Sequence, residues 1–552
     1  MIVHRPATII APMRLIKAAR EAVSRNRLAI AVCLCLGGLL YLRRPDAFYN
    51  PQFFAEDGII LFREAHAYGF ASLLVPYSGY YHTFSRLAAL AGELFPLAYV
   101  PAWFNTVALL VTWYVGVRIL SPRIPLNHST KVMLVVALVA SPVRNEIYMT
   151  LISVYWLLSF VLLLLLISRE PASFAEVATD SFELLMVGLT GPFAVIYLPL
   201  FGWRFFTRRT RFNAWSLMLA GLAAGIQGWS LVGRALTASS SSAVLGRLEA
   251  LRIVAEKFIY VFFGDWPAQS SWIFAALLVV LLAMCGLMVF DFLTDRHREA
   301  LTIMAGGILA LLVTVWATGF DPFELADFTR YYYIPVVTLL WGLILWRKYR
   351  PRLAYTLLGL SALVTATHYP ATPFVDYHWP EASRCIDAQA ECLISINPPG
   401  SYLKIGPARM PDVQTRWPAV FGDRIELYGY DAEYDSARLR TKFVWVGLRR
   451  MDTAYKFFVH LYDPADESKV IRQVDAGPRQ FSYPTSQWLV GDIVTDEVEL
   501  PLEDVRPGQY RVAVGWYNPL LPHMDRLSAV DEAGNRWKDD RVVLPLLVDV
   551  SR

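Results

Sequence analysis

The stretch 177–206, VATDSFELLMVGLTGPFAVIYLPLFGWRFF, decides how the chain crosses a membrane, because it can form either one long helix or two short ones. Gly191 and Pro192 stand at its middle. Proline lacks the amide hydrogen that a helix interior requires, and glycine turns freely, so the sequence predicts a break at these two residues. The break adds one crossing, and it therefore reverses the side of the membrane on which every later segment lies.

The composition of the chain is typical of a polytopic α-helical membrane protein. Of its 552 residues, 55% are hydrophobic and 18% are charged, and the mean hydropathy is +0.39. Soluble domains carry about 25% charged residues. The net charge of +4 is modest, so no nucleic-acid partner is indicated. From about residue 375 the apolar runs shorten and charges become frequent, which predicts a boundary between a membrane domain and a soluble domain.

Apolar runs that suit transmembrane helices recur through the first 370 residues. A helix needs about 20 apolar residues to cross a bilayer, and fewer where the bilayer thins. With 177–206 counted as two helices, we predict about eleven membrane-crossing helices in a domain that spans 28–370. The runs lie at 28–42, 97–117, 131–143, 150–168, 177–206, 213–232, 271–290, 299–318, 331–346 and 353–368.

Basic residues in the short loops give the orientation of these helices. They cluster near 118–131, 204–211, 296–298 and 347–352, and in the N-terminal segment 1–27. The positive-inside rule places all five in the cytoplasm, which is consistent only if 177–206 leaves and returns. No small-residue cleavage site follows the first apolar run, so we expect an uncleaved signal anchor. The C-terminal domain then lies on the outer side.

The first outer loop, 43–96, contains the residues best suited to chemistry. PQFFAEDG places Glu56 beside Asp57, and PYSGYYHTFSR contains Tyr80, His82 and Arg86. A carboxylate can take a proton from a hydroxyl, and aromatic faces stack on sugar rings. The alternative is that the two acids merely begin an amphipathic surface helix over 56–67.

Charged residues also lie at the outer ends of two later helices. Glu146 lies close to the bilayer, where an acid is costly unless it is functional or paired, and Arg144 is the nearest partner. Arg330 and Tyr331 open a late helix. An arginine there can bind a lipid phosphate through its planar fork, or serve as an interfacial anchor within an aromatic belt.

In this order the features resemble those of the GT-C superfamily, the multi-span glycosyltransferases that use polyprenyl-phosphate-linked sugars. The resemblance covers about residues 28–370. It rests on Glu56-Asp57 in the first outer loop, Glu146 in the second, and Arg330-Tyr331 before a late helix. The pattern also looks like a bacterial group of such membrane proteins that carries a C-terminal β-sandwich.

The resemblance implies a role for each of these residues. Asp57 is expected to act as the base or to orient the acceptor, with Glu56 as the alternate. Glu146 would assist, or would complete a site with Asp57 for a divalent cation (Mg²⁺ or Mn²⁺), which some members of the superfamily need. Arg330 would hold the donor phosphate. The other residues expected to bind substrate are Tyr331, Tyr80, His82 and Arg86.

The resemblance also implies partners and a location. The donor would be a polyprenyl-phosphate sugar, the acceptor a glycan or lipid of the cell envelope, and the protein would lie in the bacterial inner membrane with its C-terminal domain in the periplasm. Two other functions fit a chain of this kind. One is a transporter or flippase of lipid-linked glycans, and the other is a non-catalytic membrane scaffold that presents its C-terminal domain.

Residues 404–552 are typical of an all-β sandwich. Apolar residues alternate in YKFFVHLYD (455–463) and in GQYRVAVGWYN (508–518), and glycine and proline turns separate these segments. Further strands are predicted at 423–430, 441–448, 493–500 and 541–549. A linker, 371–403, would precede the sandwich. Its Cys385 and Cys392 would form a local disulfide on the outer side, and the alternative is a pair of free thiols.

Overall fold

The computed structural model of the chain contains two compact units. The residues it describes are 27–143, 145–237, 247–265, 270–317, 329–388, 392–406, 410–521 and 523–550. The first unit comprises the chain up to Gln52 and Glu64–Phe374, and the second comprises Phe53–Arg63 and Val375–Arg552. The sequence predicts the change in composition at about residue 375. The assignment of Phe53–Arg63 differs from the prediction, which gave the whole first outer loop to the membrane domain.

The described chain before residue 375 is mainly helical. Its α-helices are α1 (Arg27–Arg43), α2 (Asp46–Tyr49), α3 (Arg63–Tyr68), α4 (Thr83–Gly92), α5 (Val100–Leu120), α6 (His128–Val139), α7 (Val154–Ile167), α8 (Phe174–Gly188), α9 (Phe193–Thr207), α10 (Arg211–Thr237), α11 (Arg247–Phe263), α12 (Ser271–Thr294), α13 (Arg298–Ala317), α14 (Tyr333–Trp346) and α15 (Pro351–Thr367). A π-helical segment, Asp57–Phe62, precedes α3, and short 3₁₀ turns lie at Gly69–Leu74, Leu97–Tyr99, Asn145–Ile147 and Thr329–Tyr332.

Helices occupy all of the positions predicted to cross the membrane, but few of them are long enough to do so alone. Within the described residues, four are long and apolar enough to cross: Leu97–Leu120, Arg211–Val232, Ser271–Thr294 and Arg298–Trp316. Shorter apolar helices lie at His128–Val139, Val154–Ile167 and Phe193–Thr207. Some of the described helices can therefore cross a membrane. Helix length supports four such helices in this part of the chain, not the predicted number of about eleven.

The predicted break within 177–206 is confirmed. Helix α8 ends at Gly188 and α9 begins at Phe193, and Gly191 between them has a φ of +91°. Glycine reaches this left-handed region without steric cost, which is why the chain turns here.

One helix at a predicted crossing, α8, carries buried acidic residues. Asp180 and Glu183 are buried on this helix and pair with two arginines, one in the last turn of α5 and one in the loop after it. Arg123 lies 2.6 Å from Asp180, and Arg118 lies 2.8 Å from Glu183. Pairing offsets much of the cost of removing these carboxylates from water.

Two apolar helices form the centre of the first unit. Every residue of α7 is buried, and α14 is almost as completely enclosed. A helix that is apolar on all sides is stable only when other helices cover all of it. Phe160 of α7 packs against Trp341 of α14, with ring centroids 4.9 Å apart. The first turn of α7 is therefore a fixed platform for the residues it carries.

The second unit is a β-sandwich with a short additional sheet. Its strands are β1 (Cys392–Ile396), β2 (Ser401–Ile405), β3 (Thr415–Phe421), β4 (Ile425–Tyr434), β5 (Arg438–Gly447), β6 (Lys456–Asp463), β7 (Asp466–Ala476), β8 (Ile493–Pro501), β9 (Gly508–Tyr517), β10 (Ala529–Asp531) and β11 (Val542–Val550). One sheet has the order β10-β3-β4-β5-β8, the other β11-β9-β6-β7, and β1 pairs with β2. All of these pairings are antiparallel.

Large aromatic side chains fill the space between the two main sheets. Trp445 of β5 lies edge-to-face against Trp516 of β9 at 5.1 Å, and Phe457 of β6 lies 5.2 Å from Trp516. The predicted C-terminal sandwich is confirmed, and β4, β5, β6, β8, β9 and β11 lie where the alternating residues predicted strands.

The predicted linker 371–403 is more structured than expected. It holds the short helices α16 (Trp379–Ala382) and α17 (Arg384–Asp387), then β1 and the first residues of β2. Cys385 and Cys392 are joined by a disulfide with their Cα atoms 5.8 Å apart, the pairing that their position in the chain favoured.

Asp496 of β8 generates a test of the sandwich. Its side chain is buried and accepts a hydrogen bond from the backbone N–H of Arg479, and burial raises the pKa of Asp496 to about 6. In the unfolded chain this pKa is about 3.9. The folded state therefore binds this proton more tightly than the unfolded chain does. The resulting contribution to the free energy of unfolding is fully present below about pH 4 and is lost as the pH rises through about 6.

We expect Asp496→Asn to remove this pH-dependent loss of unfolding free energy, which is on the order of 2–3 kcal/mol. Thermal unfolding followed by tryptophan fluorescence between pH 4 and pH 7 measures it. The variant should lose less stability across that range than the wild type, whereas Glu497→Gln, on the exposed side of the same strand, should follow the wild type. Parallel curves for Asp496→Asn and the wild type would contradict the assignment.

Candidate functional site

Residues from three parts of the first unit form an aromatic cluster, which we define as Tyr80, His82, Tyr155, Trp156 and Tyr331. The hydroxyls of Tyr80 and Tyr155 are 3.4 Å apart. The His82 ring lies 4.9 Å from that of Tyr80 and 5.2 Å from that of Tyr155. Tyr331 packs edge-to-face on Trp156 at 5.5 Å. Three residues predicted to bind substrate thus lie together.

Arg330 lies beside the aromatic cluster. It belongs to the 3₁₀ turn Thr329–Tyr332 that leads into α14, and its guanidinium carbon lies 5.9 Å from the centroid of the Tyr331 ring. The same guanidinium is close enough to act electrostatically on the hydroxyl of Tyr155. The arginine predicted to bind the donor phosphate is therefore adjacent to the tyrosines and histidine predicted to bind substrate. The acidic loop before it, 318–328, lies outside the described residues.

Tyr155 and Trp156 contribute to the aromatic cluster although the sequence analysis did not single them out. Both lie in the first turn of α7, and the rest of that helix is almost entirely apolar. Nothing in the sequence therefore distinguishes them from residues that pack the interior. The indole N–H of Trp156 is buried and has no hydrogen-bond partner within the part of the chain that the structure describes. A buried donor without a partner costs free energy, which a polar ligand atom would recover.

The helix break between α8 and α9 positions Tyr80 and His82, because residues 81–84 satisfy its backbone groups. The amide of Gly191 donates to the carbonyl of Tyr81 at 2.9 Å. The Thr83 hydroxyl donates to the carbonyl of Leu189 at 2.9 Å, and the Thr83 amide donates to the same carbonyl at 3.2 Å. The turn that carries the predicted substrate-binding residues is therefore attached to the break.

Gln227 of α10 completes this attachment. Its side-chain oxygen accepts from the amide of Tyr81 at 2.8 Å, and its side-chain nitrogen donates to the carbonyls of Tyr81 and Gly191, each at 3.1 Å. Gln227 is fully buried, so one polar side chain supplies partners for backbone groups that water cannot reach. In the sequence, a single glutamine within a largely apolar helix is the feature that could have indicated this hydrogen-bonding role.

Gly191 also allows close packing beneath the aromatic cluster. A Cβ atom built on Gly191 would lie 2.7 Å from the Cδ2 atom of Tyr155, closer than real contacts permit. The ring of Tyr155 thus packs directly on the backbone of the break. This contact and the positive φ both require glycine here.

His82 is held as a neutral ring. Burial, and then the charge of Arg86, lower the pKa of the His82 imidazole to about 3. At neutral pH it is therefore uncharged and contributes an aromatic surface rather than a cation. Arg86 is buried on α4 and forms a 2.7 Å salt bridge with Glu64, which is also buried. Arg86 was predicted to bind substrate, and Glu64 is a partner that the sequence analysis missed.

Glu146 lies outside the aromatic cluster as defined, on the 3₁₀ turn Asn145–Ile147 that precedes α7. Its backbone carbonyl accepts hydrogen bonds from the hydroxyls of Thr150 and Ser153, both at 2.9 Å. Its side chain is half-buried. Arg144, the alternative partner, lies outside the described residues.

Two buried arginines at the end of α1 hold the loop that leads to Glu146. Arg43 donates to the carbonyls of Val139 and Ser141, at 2.8 and 3.0 Å. Arg44 donates to the carbonyl of Tyr148 at 3.3 Å and forms a 2.9 Å salt bridge with Asp46. These interactions restrain the loop on both sides of Glu146.

Asp57 and Glu56 belong to the second unit. Asp57 begins the π-helical segment Asp57–Phe62 and is only 2% exposed, whereas Glu56 is half-buried. The predicted helix over 56–67 is therefore present as Asp57–Phe62 followed by α3. It is not the surface helix that was expected. Short π-helical turns are rare and occur frequently at functional sites.

Aromatic packing and an arginine fix this segment within the second unit. Phe53 stacks on Phe62 at 5.1 Å and contacts Trp379 edge-to-face at 4.6 Å. Arg63 is buried and donates to the hydroxyl of Tyr483 at 2.6 Å and to the carbonyl of Gln487. Arg63 follows directly after the π-helical segment that Asp57 begins, so it anchors the C-terminal end of that segment.

The residues suggested for a divalent cation fall into different units, since Asp57 is in the second and Glu146 in the first. Within the described residues, no group of three or more histidine, cysteine, aspartate or glutamate side chains is arranged to hold a metal ion. The divalent-cation site therefore stays a prediction, and we assign no chemical step to a metal.

Comparison with protein-family models gives no match to the chain, and neither does comparison with curated proteins.

The attachment of residues 81–84 to the helix break can be tested through Gln227. Gln227→Leu leaves the amide of Tyr81 and the carbonyl of Gly191 buried without their side-chain partner, so we expect a loss of roughly 2–4 kcal/mol. Unfolding by sodium dodecyl sulfate in mixed micelles measures it. Thr83→Val should cost much less, because the amide of Thr83 still donates to the carbonyl of Leu189. Equal losses for the two variants would show that Gln227 has no such role.

Proposed function

We propose that the protein is a membrane glycosyltransferase of GT-C type, which moves a sugar from a polyprenyl-phosphate carrier to an acceptor on the periplasmic face, in modification of cell-envelope glycans. The observation that carries the proposal is the position of Arg330 beside the aromatic cluster. A cation that can bind phosphate, tyrosine and tryptophan faces, and a buried indole donor without a partner are together suited to a sugar phosphate.

The two halves of such a donor have different requirements. A phosphate is anionic and is bound best by the planar donor fork of an arginine, here Arg330. The C–H faces of a sugar ring pack on aromatic rings, and its hydroxyls need hydrogen-bond partners. Tyr80, Tyr155 and the indole N–H of Trp156 supply both kinds of surface. Neutral His82 adds no charge that would compete with Arg330 for the phosphate.

The chemical step that we propose is a displacement at the anomeric carbon of the donor. The acceptor hydroxyl oxygen bonds to that carbon, and the bond from the carbon to the phosphate oxygen breaks. Asp57 takes the hydroxyl proton, with Glu56 as the alternate base. The electron pair leaves with the polyprenyl phosphate, whose added charge Arg330 stabilises. The burial of Asp57 in a π-helical turn supports the proposal that it is the base.

The proposed topology keeps about eleven crossings in a bacterial inner membrane. Its support is that helices lie at each predicted position, that 177–206 is divided, and that basic residues cluster in alternate short loops. Helices shorter than the bilayer core would be accommodated by local thinning. The N-terminus would then be cytoplasmic, and the aromatic cluster and β-sandwich would be periplasmic.

The transporter alternative predicts charged groups that line a path through the helices. Asp180 and Glu183 are the acids buried on α8, and both are engaged by arginines at one end of the unit. Their pairing there favours a structural role over a transport path. The scaffold alternative predicts that Arg330 and Asp57 can be replaced without effect, so the following two experiments separate it from the glycosyltransferase.

Arg330→Ala should abolish most transfer of sugar from a polyprenyl-phosphate donor by the purified protein. Loss of a group that stabilises developing charge typically reduces kcat by about 10²–10³. Arg330→Lys keeps the charge but not the planar fork, so it should restore only part of the rate. Arg209→Ala removes an exposed arginine from a loop at a predicted cytoplasmic end and should leave turnover unchanged. Wild-type turnover by a folded Arg330→Ala protein would contradict the donor assignment.

Asp57→Asn tests the proposed base separately. The substitution keeps the size of the side chain and removes its ability to accept a proton, so kcat should fall by about 10²–10⁴. Binding of the donor, measured by the same protein's affinity for the polyprenyl phosphate, should change little. Asp412→Asn, at an exposed position of the second unit, is the matched control. Wild-type turnover in a folded Asp57→Asn protein would rule out the role of Asp57.

A further inference from the structure

A cleft lined by three arginines lies in the first unit, where α7 and α9 end and α13 begins. Its lining includes Trp203, Arg204 and Arg208 from α9 and the loop after it, and Arg298 and Thr302 from α13. It lies at the end of the unit that carries the short basic loops. None of its residues belongs to the aromatic cluster or to the segment that contains Asp57.

Arg204 forms the floor of this cleft. It is only 7% exposed, and its two terminal nitrogens donate to the carbonyls of Leu165 and Ser168, which close the last turn of α7. Its Nε–H is buried and has no hydrogen-bond partner among the described residues. A guanidinium in this state is positioned by the protein but keeps one donor for another group.

Positive charge is in excess around Arg204. Arg208 and Arg298 stand at the rim, and α13 directs its positive helix end toward the same place. One carboxylate, that of Glu299, also lines the cleft, so three arginines face one acid there. Glu299 lies 3.4 Å from His297, and Glu170 accepts hydrogen bonds from the side chains of Thr210 and Asn213 at 3.0 and 3.1 Å.

Apolar surface adjoins the three arginines. Trp203 and Phe206 on α9 are 67% and 66% exposed, and α9 is an apolar helix up to its final residues. A soluble anion would use only the cationic part of this surface. An anionic lipid would use both parts, since its phosphate would meet the arginines and its acyl chains would cover the apolar face.

We propose that this cleft binds the phosphodiester head group of an anionic phospholipid in the leaflet that faces the basic loops. The phosphate accepts from the Nε–H of Arg204, and Arg208 and Arg298 neutralise its charge. The bound lipid ties the C-terminal ends of α7 and α9 to the start of α13. The proposal does not depend on the glycosyltransferase function.

Native mass spectrometry of the full-length protein in detergent tests this site with phosphatidylglycerol and phosphatidylethanolamine as the two probes. We expect selective retention of phosphatidylglycerol. Arg208→Gln and Arg298→Gln should each weaken its binding by about fivefold, because each removes one cation near the phosphate. Arg209→Gln and Arg296→Gln, exposed neighbours outside the cleft lining, remove the same charge and should have no effect.

Three results would overturn the proposal. One is equal retention of the two lipids by the wild-type protein, which can be read even if a variant fails to fold. Another is a loss of binding in Arg209→Gln and Arg296→Gln as large as in the cleft variants, since this would indicate general surface charge. The third is displacement of phosphatidylglycerol by millimolar inorganic phosphate, which would indicate a site for a free anion.

Discussion

The structure of the first unit depends on how the backbone is satisfied at the break between α8 and α9. A break in a buried helix exposes amide and carbonyl groups that water cannot reach, and each costs free energy unless the protein supplies a partner. Residues 81–84 and Gln227 supply these partners. The turn before α4 is thereby held against the break, which places Tyr80 and His82 on Tyr155. The geometry of the aromatic cluster is thus a consequence of backbone hydrogen bonding, and Arg330 and Tyr331 meet it from the start of α14.

Features that depend on local sequence could be predicted. Proline after glycine predicted the division of 177–206, because both residues act on the backbone wherever they occur. Apolar runs located the helices of the first unit, and alternating residues located six strands of the sandwich. Apolar runs alone did not give the number of crossings, because several of the helices are shorter than a bilayer is thick. One of these helices, α8, also carries acids whose pairing with arginines appears only in the fold. Of the predicted substrate residues, Tyr80, His82, Arg330 and Tyr331 lie together or side by side.

Features that depend on long-range packing could not be predicted. Nothing local distinguishes Tyr155 and Trp156 from packing residues, since their neighbours are all apolar. The segment Phe53–Arg63 looked like part of a membrane-surface loop, yet Phe53 packs on Trp379 and Arg63 binds Tyr483, which lies 420 residues away in sequence. Asp57 is consequently held in a buried π-helical turn. Asp57 belongs to the second unit, whereas Arg330 and the aromatic cluster belong to the first.

The central claim, that Arg330 and the aromatic cluster bind a lipid-linked sugar which is then transferred, is tested most directly in cells. The measurement is a mass-spectrometric profile of envelope glycans and polyprenyl-phosphate sugars in cells that lack the protein, and in the same cells supplied with wild-type or Arg330→Ala protein. We predict that one glycan residue is missing and its polyprenyl-phosphate form accumulates, and that only the wild-type protein restores the profile. An unchanged profile without the protein, or full restoration by Arg330→Ala, would contradict the account.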